Sequence, residues 1–338
     1  SLGTDEQEAR ETAIQANTII AEQHTRQLLS INERLSKIKT NKSEISVDIW
    51  MDKYLDIQKE RLDIGELKIN SYRQKMKPIN LFRQYCGTKI LKEITALDIA
   101  EIIDSIKVLG HSRMAQVVRM VLIDVFKEAQ HAGYVPPGYN PAKATKQPRN
   151  KVKRERMTLD EWRTIYQQAK NHPPYLQCGM LLALTTGQRI GDICKMKFSD
   201  IWDDMLHIQQ EKTGSKLAIP LSLKCEAINL SLREVVAQCR DAVVSKYLVH
   251  YRHTTAQAKR GEQVTPNTLT TTFKKARDKC GLTWEKGTAP TFHEQRSLSE
   301  RLYREQGINT QKLLGHKTQN MTDKYHDDRG KEWQIIAV

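Results

Sequence analysis

The chain has 338 residues and carries 54 Lys and Arg against 40 Asp and Glu, a formal net charge of +14 at pH 7. The length allows two or three domains, and the excess of positive charge favours a polyanionic partner such as nucleic acid, although many basic proteins never bind one. The longest apolar stretch, residues 179–184, is too short to span a membrane. The six scattered cysteines form no CxxC pair typical of a zinc site, and we interpret them as reduced thiols of a cytoplasmic protein.

Residues 1–42 are predicted to form a polar helix followed by a short basic linker. Their apolar residues make only a broken stripe at helical spacing, with too few large side chains to build a core. We therefore expect this helix to pack on something else.

Residues 43–142 are predicted to form a bundle of four or five helices. Two sets of apolar residues recur at helical spacing in this section, namely Val47, Trp50, Met51 and Tyr54, then Val117, Met120, Val121 and Val125. Thr95 is a plausible helix N-cap. The tandem prolines Pro136 and Pro137 end the section, because proline cannot continue a helix.

Residues 143–156 hold the densest run of positive charge, which ends at Arg156 and comprises Lys143, Lys146, Arg149, Lys151, Lys153 and Arg154 before it. One interpretation is an ordinary solvated linker. The other is a strap that neutralises backbone phosphates while it joins two domains around a DNA duplex.

Residues 157–338 mix predicted helices and strands. Thr158 and Glu161 have the spacing of a capping box. Residues 206–208 and 217–220 are predicted to form a hairpin with Thr213-Gly214 at its tip, and Thr265-Pro266 is predicted to open another helix.

Four short segments of this last section carry the side chains that could do chemistry, which are Arg189, Lys212, His293, Arg296, His316 and Tyr325. Each has an ordinary interpretation when taken alone: a paired surface arginine, a solvated lysine, or a His and an Arg that share a helix face. Together they suit cleavage of a phosphodiester, whose five-coordinate transition state carries negative charge that fixed cationic donors can stabilise.

The two arginines are predicted to clamp that phosphate. The planar guanidinium donates two hydrogen bonds at once and keeps its charge, so Arg189 and Arg296 would form the clamp and His316 would supply a further donor.

Tyr325 is the predicted nucleophile. A phenol with a pKa of about 10 attacks poorly unless its proton is removed, and His293 is the candidate to take it, while Lys212 could protonate the departing 5′ oxygen. Tyr303, the competing tyrosine, is predicted to pack in the core. A metal site built from these histidines with Asp327 and Asp328 is disfavoured, since the spacing is wrong and two arginines lie among them.

These segments, in this order, resemble the active site of the tyrosine recombinases. The matching sequences are Thr-Gly-Gln-Arg189, Lys212-Thr-Gly, His293-x-x-Arg296, Leu-Leu-Gly-His316 and Tyr325. The sequence around them is similar to that of integrases of lambdoid phages and prophages, and the likeness runs from residue 47 to the end. The resemblance implies a multidomain, mainly α protein, with a helical-bundle core-binding domain and a mixed α+β catalytic domain.

The resemblance also implies a reaction. The family works without metal or ATP, links its tyrosine to a DNA 3′ phosphate, and exchanges strands between double-stranded attachment sites as a tetramer through a Holliday junction. A DNA-bending accessory protein and an excision factor are expected as further partners.

The two ends of the chain carry further expectations from the resemblance. Residues 333–338 are similar to the family's C-terminal strand, which packs against a neighbouring catalytic domain, although an ordinary edge strand would look the same. Residues 1–4 are similar to the last turn of the family's three-stranded arm-binding domain, and residues 1–42 are interpreted as a remnant helix of that domain and a linker. We therefore expect most of that domain to be absent and binding to arm sites to be weak.

Two other functions remain open. A type IB topoisomerase would use the same chemistry to relax DNA. A DNA-binding regulator could keep the fold and never cut, although six filled catalytic positions argue against it.

Overall fold

The computed structural model describes residues 6–150, 155–255, 258–285 and 288–326, with the side chains of 6–9 and 30–43 left aside. The chain divides into two compact units, Ser1–Lys151 and Val152–Val338. Its fold is mainly helical with a small sheet, as the sequence predicts. Among the described helices, none combines the length and the apolar character that a membrane span requires.

The first unit begins with the long helix α1 (Glu6–Ser43) and continues with five more helices, α2 (Val47–Asp63), α3 (Ile69–Cys86), α4 (Ala96–Val108), α5 (Ser112–His131) and the short α6 (Pro141–Ala144). The described side chains of α1, residues 10–29, are all exposed. A one-turn 3₁₀ helix, Leu91–Glu93, joins α3 to α4.

Helices α2 to α5 enclose the core of this unit. Trp50, Tyr54, Phe82 and Phe126 are fully buried at its centre. The apolar set predicted in α2 is buried, whereas in α5 Met120 is 55% exposed and only the three valines of the set are buried. Thr95 caps α4 in a capping box with Asp98, which confirms the predicted N-cap.

The second unit contains all the described strands and eight helices of the described residues: α7 (Leu159–Gln168), α8 (Tyr175–Thr186), α9 (Ile190–Lys195), α10 (Leu232–Gln238), α11 (Pro266–Asp278), α12 (Glu294–Glu305), α13 (Thr310–Leu314) and α14 (Gln319–His326). Three further 3₁₀ turns are Ala169–Asn171, Phe198–Asp200 and Glu226–Ile228. The capping box at Thr158 and the start of α11 at Thr265-Pro266 are both as predicted.

Five strands follow α9: β1 (Ile201–Trp202), β2 (Met205–Gln209), β3 (Lys216–Pro220), β4 (Lys224–Cys225) and β5 (Leu230–Ser231). The first three form an antiparallel sheet in the order β1-β2-β3, and β4 pairs with β5. In the β2–β3 hairpin Leu206 pairs with Ile219, and Gly214 turns the chain with a φ of +72°, which confirms the predicted hairpin and its tip.

Helix α8 is the centre of the second unit. It is apolar on nearly every face and packs against α10 and α12, so it is buried all round. Tyr303 of α12 is fully buried, and its hydroxyl donates to the carbonyl of Thr185, 2.8 Å away. The prediction that Tyr303 belongs to the core is confirmed.

Candidate active site

Arg296 lies at the centre of the candidate site, on the first turns of α12, and is only 1% exposed. Its Nη1 donates to the carbonyl of Gly187 (2.6 Å), and its Nη2 donates to the carbonyl of Leu314 (2.7 Å) and approaches Nε2 of His316 (2.9 Å). Burial, followed by the charge of Arg189, lowers the pKa of Arg296 to about 10, so it is still a cation at neutral pH.

Two glycines in the left-handed conformation supply the turns that place these carbonyls. Gly187 ends α8 with a φ of +63°, and Gly315 ends α13 with a φ of +64°. A Cβ at Gly187 would lie 2.8 Å from the side chain of Leu314, and one at Gly315 would lie 2.9 Å from Nε2 of Gln210. Both positions therefore need glycine for space as well as for backbone conformation.

Arg189 is the N-cap residue of α9, and a buried glutamine holds it. Its Nη1 donates to Oε1 of Gln210 (2.9 Å), while Nε2 of Gln210 donates to Oε1 of Gln188 (2.7 Å) and to the carbonyl of Leu314 (2.9 Å). Because Arg296 donates to the same carbonyl, one peptide group links the supports of both arginines. Sequence reasoning missed Gln210, and it included Gln188 only as a part of the Thr-Gly-Gln-Arg189 motif with no role of its own.

His316 is buried beside Arg296, with 7% of its surface exposed. An arginine can only donate, so Nε2 of His316 is the acceptor and its Nδ1 carries the hydrogen, which points to Oγ1 of Thr322 at 2.9 Å. Burial, with the charges of Arg296 and Arg189, lowers the pKa of His316 to about 4. The imidazole is therefore neutral at pH 7.

Tyr325 lies on α14 against three of the other predicted residues. Its ring centre is 5.3 Å from that of His316 and 5.3 Å from Cζ of Arg296, which places the cation near the ring face. Its hydroxyl is 3.5 Å from Nε2 of His293, a separation that is long for a hydrogen bond.

His293 is the residue before the first turn of α12, and part of its side chain reaches solvent. The protein atoms packed around its ring lower its pKa, and the charges of Arg296 and Arg189 act in the same direction. His293 is thus neutral near pH 7, the state in which a ring nitrogen can accept a proton.

Side chains from the core hold α14 in place. Oγ of Ser297 donates to the carbonyl of Tyr325 (2.5 Å), and Arg156 donates to the carbonyl of Lys324. Glu300, which is fully buried, lies 3.4 Å from Nδ1 of His326. The backbone around Tyr325 is therefore bonded to groups outside its own helix.

Lys212 lies in the exposed turn of the β2–β3 hairpin. It follows Gln210, the residue that bonds Arg189, by two positions in the chain. The contacts described above join the other five predicted residues, which are Arg189, His293, Arg296, His316 and Tyr325.

Only part of the basic segment 143–156 lies among the described residues. Lys143, Lys146 and Arg149 are exposed, while the predicted DNA contacts Lys151, Lys153 and Arg154 fall outside the described residues. Arg156 departs from both interpretations of this segment. It is 8% exposed and forms an ion pair with Glu294 at 3.0 Å, so it is neither a solvated linker residue nor available to a phosphate.

No cluster of three or more His, Cys, Asp or Glu residues suited to hold a metal ion occurs within the described ranges. Asp327, Asp328 and the predicted C-terminal strand at 333–338 fall outside those ranges.

Two family models match the chain. The phage integrase family matches residues 155–332, and the arm DNA-binding domain of bacteriophage lambda integrase matches residues 1–34. The second match lies within residues 1–42, which the resemblance assigns to a remnant helix of that domain and a linker, and it extends well past the last turn expected at residues 1–4.

Curated relatives match along the whole chain. The integrase of Enterobacteria phage P21 is 71% identical over 338 residues, covering 100% of this chain and 89% of its own. The prophage integrase IntE of Escherichia coli (strain K12) is 58% identical, covering 100% of this chain and 90% of its own, and the integrase of Escherichia phage lambda is 36% identical with the same coverage.

Two solved structures also match the full chain. Lambda integrase as a tetramer bound to a Holliday junction superposes with a TM-score of 0.79 and 34% identity, covering 100% of this chain and 91% of the other. Lambda integrase as a dimer bound to a COC′ core site gives a TM-score of 0.79 and 35% identity, with the same coverage.

Proposed function

We propose that this chain, which belongs to the phage integrase family, cuts and rejoins DNA with Tyr325 as the nucleophile. The chain is a site-specific DNA recombinase. The observation that carries the proposal is that Tyr325 contacts Arg296, His316 and His293 in the second unit. A phenol, a fixed cation and a neutral imidazole are the groups that metal-free phosphoryl transfer needs.

In the cleavage step the phenol oxygen of Tyr325 attacks the phosphorus, forming an O–P bond to the 3′ phosphate while the bond from phosphorus to the 5′ oxygen breaks. Nε2 of His293 takes the phenol proton, and its 3.5 Å separation shortens when DNA orders the site. The ammonium group of Lys212, carried in by the hairpin turn, protonates the departing oxygen. In the rejoining step the 5′ hydroxyl of the partner strand gives its proton to Lys212 and attacks the phosphorus of the phosphotyrosine. The bond from phosphorus to the tyrosine oxygen breaks, and His293 returns its proton to the phenolate.

Arg296 stabilises the charge that develops on the phosphate. Its two Nη atoms are already bonded to the carbonyls of Gly187 and Leu314, so the guanidinium is fixed before DNA binds. Its buried Nε has no hydrogen-bond partner in the described part of the chain, and a non-bridging phosphate oxygen would supply one. Arg189, fixed by Gln210, completes the clamp.

His316 supports this clamp through Arg296. Its Nε2 accepts from Arg296 and its Nδ1 donates to Thr322, which ties the clamp to the helix that carries Tyr325. In this arrangement both ring nitrogens of His316 are bonded to protein groups. Its predicted role as a phosphate donor therefore requires the hydrogen bond from Arg296 to break during the reaction and a ring nitrogen to donate to the phosphate instead.

The assembly and partners follow the same proposal. The chain would act as a tetramer on paired core-type attachment sites, since lambda integrase has been solved in that state on a Holliday junction. The exposed Lys143, Lys146 and Arg149, with Lys151, Lys153 and Arg154, would contact backbone phosphates. A DNA-bending protein and an excision factor would assist in the cytoplasm of the bacterial host.

Covalent capture tests the proposal directly. The protein is incubated in EDTA with a pool of nicked duplexes of random sequence, and DNA that stays attached after denaturation is recovered and sequenced. We expect a recurrent core site, joined to a peptide that contains phosphorylated Tyr325 by mass spectrometry. Recovery of no attached DNA, with duplex binding intact, would instead support a regulator that binds without cutting.

A further inference from the structure

We propose that Arg156 is a positioning residue for the nucleophile: it holds the last turn of α14 and so sets where the phenol of Tyr325 lies. The inference rests on the proposed role of Tyr325. Arg156 makes no contact with the reacting phosphate in this account and would act only through the backbone of the tyrosine helix.

The contacts of Arg156 bridge the two helices that bear the site. Nη1 pairs with Oε2 of Glu294 at 3.0 Å, and Nη2 donates to the carbonyl of Lys324. Glu294 opens α12 next to His293, while Lys324 directly precedes Tyr325 on α14. Both partners of the ion pair are buried, at 8% and 4% exposure, so the bridge is held in a largely dry environment.

Two carbonyls in the last described turn of α14 are bonded from outside the helix. A cation beside backbone carbonyls donates to them and favours the negative potential that they produce. Arg156 serves the carbonyl of Lys324 in this way, and Ser297 serves that of Tyr325.

Packing alone would not fix this helix. Of the eight described residues of α14 only Thr322 is buried, so apolar packing contributes little to its position. Its position therefore depends on polar bonds from α12, from His316 and from Arg156. A shift of about 1 Å in a reacting group can cost roughly 100-fold in rate, so loosening one bond should be visible in cleavage.

The test compares Arg156→Met with Arg163→Met, a control for the loss of an arginine charge. Arg163 also pairs with a carboxylate, Asp160 at 3.1 Å, and donates to the carbonyl of Ala227, but it is exposed and neither of these bonds goes to α14. Each full-length variant is given the nicked core site recovered by covalent capture, in two forms: one with the natural 5′ oxygen at the cleaved bond and one with sulfur there. A 5′ sulfur leaves without being protonated. The sulfur substrate therefore restores cleavage to a variant that lacks the general acid, but not to one whose nucleophile is misplaced.

We expect Arg156→Met to bind the duplex within twofold of the wild type and to cleave the oxygen substrate roughly 10- to 100-fold more slowly. On the sulfur substrate Arg156→Met should show the same loss of cleavage rate. Lys212→Ala, which lacks the proposed acid, should regain cleavage on that substrate. Arg163→Met should match the wild type on both. Arg156→Lys, which keeps a cation able to reach one partner at a time, should recover part of the rate.

Thermal unfolding shows whether each variant is folded, so that a loss of positioning is distinguished from a loss of folding. If Arg156→Met does not fold, the cleavage rate of a folded Arg156→Lys decides the test. Cleavage by a folded Arg156 variant within twofold of the wild type, or recovery on sulfur, would overturn the positioning role and leave the tyrosine mechanism intact. Failure of the wild type to cleave either substrate would instead remove the proposed function on which the inference rests.

Discussion

Nη2 of Arg296 lies 2.9 Å from Nε2 of His316, and this single contact fixes the protonation state of both groups. The arginine must donate, so the imidazole must be neutral with its hydrogen on Nδ1, where Thr322 accepts it. A protonated His316 would set two cations against each other in a buried place. The site is therefore built for a neutral histidine next to a permanent cation.

Acid should weaken the fold through His316. Its folded-state pKa of about 4 lies below the ordinary value of 6.5, so between these two pH values the unfolded chain binds more protons. Stability is fully present above pH 6.5 and is lost as pH falls toward 4, by about 3 kcal/mol at most from this group. Urea unfolding at pH 7 and 4.5 should show a smaller loss for His316→Gln than for the wild type. Equal losses would mean that the histidine is not held neutral.

Gly187→Ala should damage both stability and the site. The new Cβ would meet Leu314 at 2.8 Å in addition to the strain of a φ of +63°. Gly307→Ala is the matched control, because Gly307 has a φ of +74° with no atom within 4 Å of its Cβ position, so it suffers conformational strain only. We expect Gly187→Ala to lose about 1–3 kcal/mol more than this control in denaturant unfolding. A difference near zero would show that the packing against Leu314 adjusts freely.

Gln210→Ala should slow cleavage while DNA binding is kept. It removes the acceptor for Arg189 and the donor shared by Gln188 and Leu314, so the first arginine of the clamp loses its support. A loss of roughly 10- to 100-fold in the rate of covalent adduct formation is expected. Gln209→Ala, its exposed neighbour at the end of β2, serves as the control. A normal cleavage rate in a folded Gln210→Ala would mean that Arg189 is held by something else.

Replacement of Lys143, Lys146 and Arg149 by Gln should flatten the salt dependence of DNA binding. Each phosphate contact contributes about 0.9 to the slope of log affinity against log salt, so removing three should lower the slope by about 2.7. The loss should be similar on core-site and random duplexes, because phosphate contacts do not distinguish sequences. Titrations at several salt concentrations measure this, and an unchanged slope would favour the ordinary solvated linker.

Patterns local in sequence predicted much of this molecule. The N-cap at Thr95, the capping box at Thr158 and the hairpin turned at Gly214 depend on residues a few positions apart. The residues that gather around Tyr325 were named from short motifs, and Tyr303 was assigned to the core from its place after Arg296.

The supports of the site were not predictable in the same way. Arg156 bonds a carboxylate 138 positions away, and Gln210 bonds a carbonyl 104 positions away. Such pairings exist only once the helices have packed, and in the sequence Arg156 looks like the end of a solvated basic run. Its burial reverses that interpretation, because a buried cation needs fixed partners whereas a linker residue needs only water.

Adduct formation by Tyr325→Phe tests the central claim most directly. The wild type, Tyr325→Phe and Tyr303→Phe are incubated in EDTA with the captured nicked core site, and the products are separated on a denaturing gel. The wild type and Tyr303→Phe should each give a protein–DNA adduct, and Tyr325→Phe should give none while it binds the duplex normally. An adduct formed by Tyr325→Phe would contradict the account, since the chain would then cut DNA with another nucleophile.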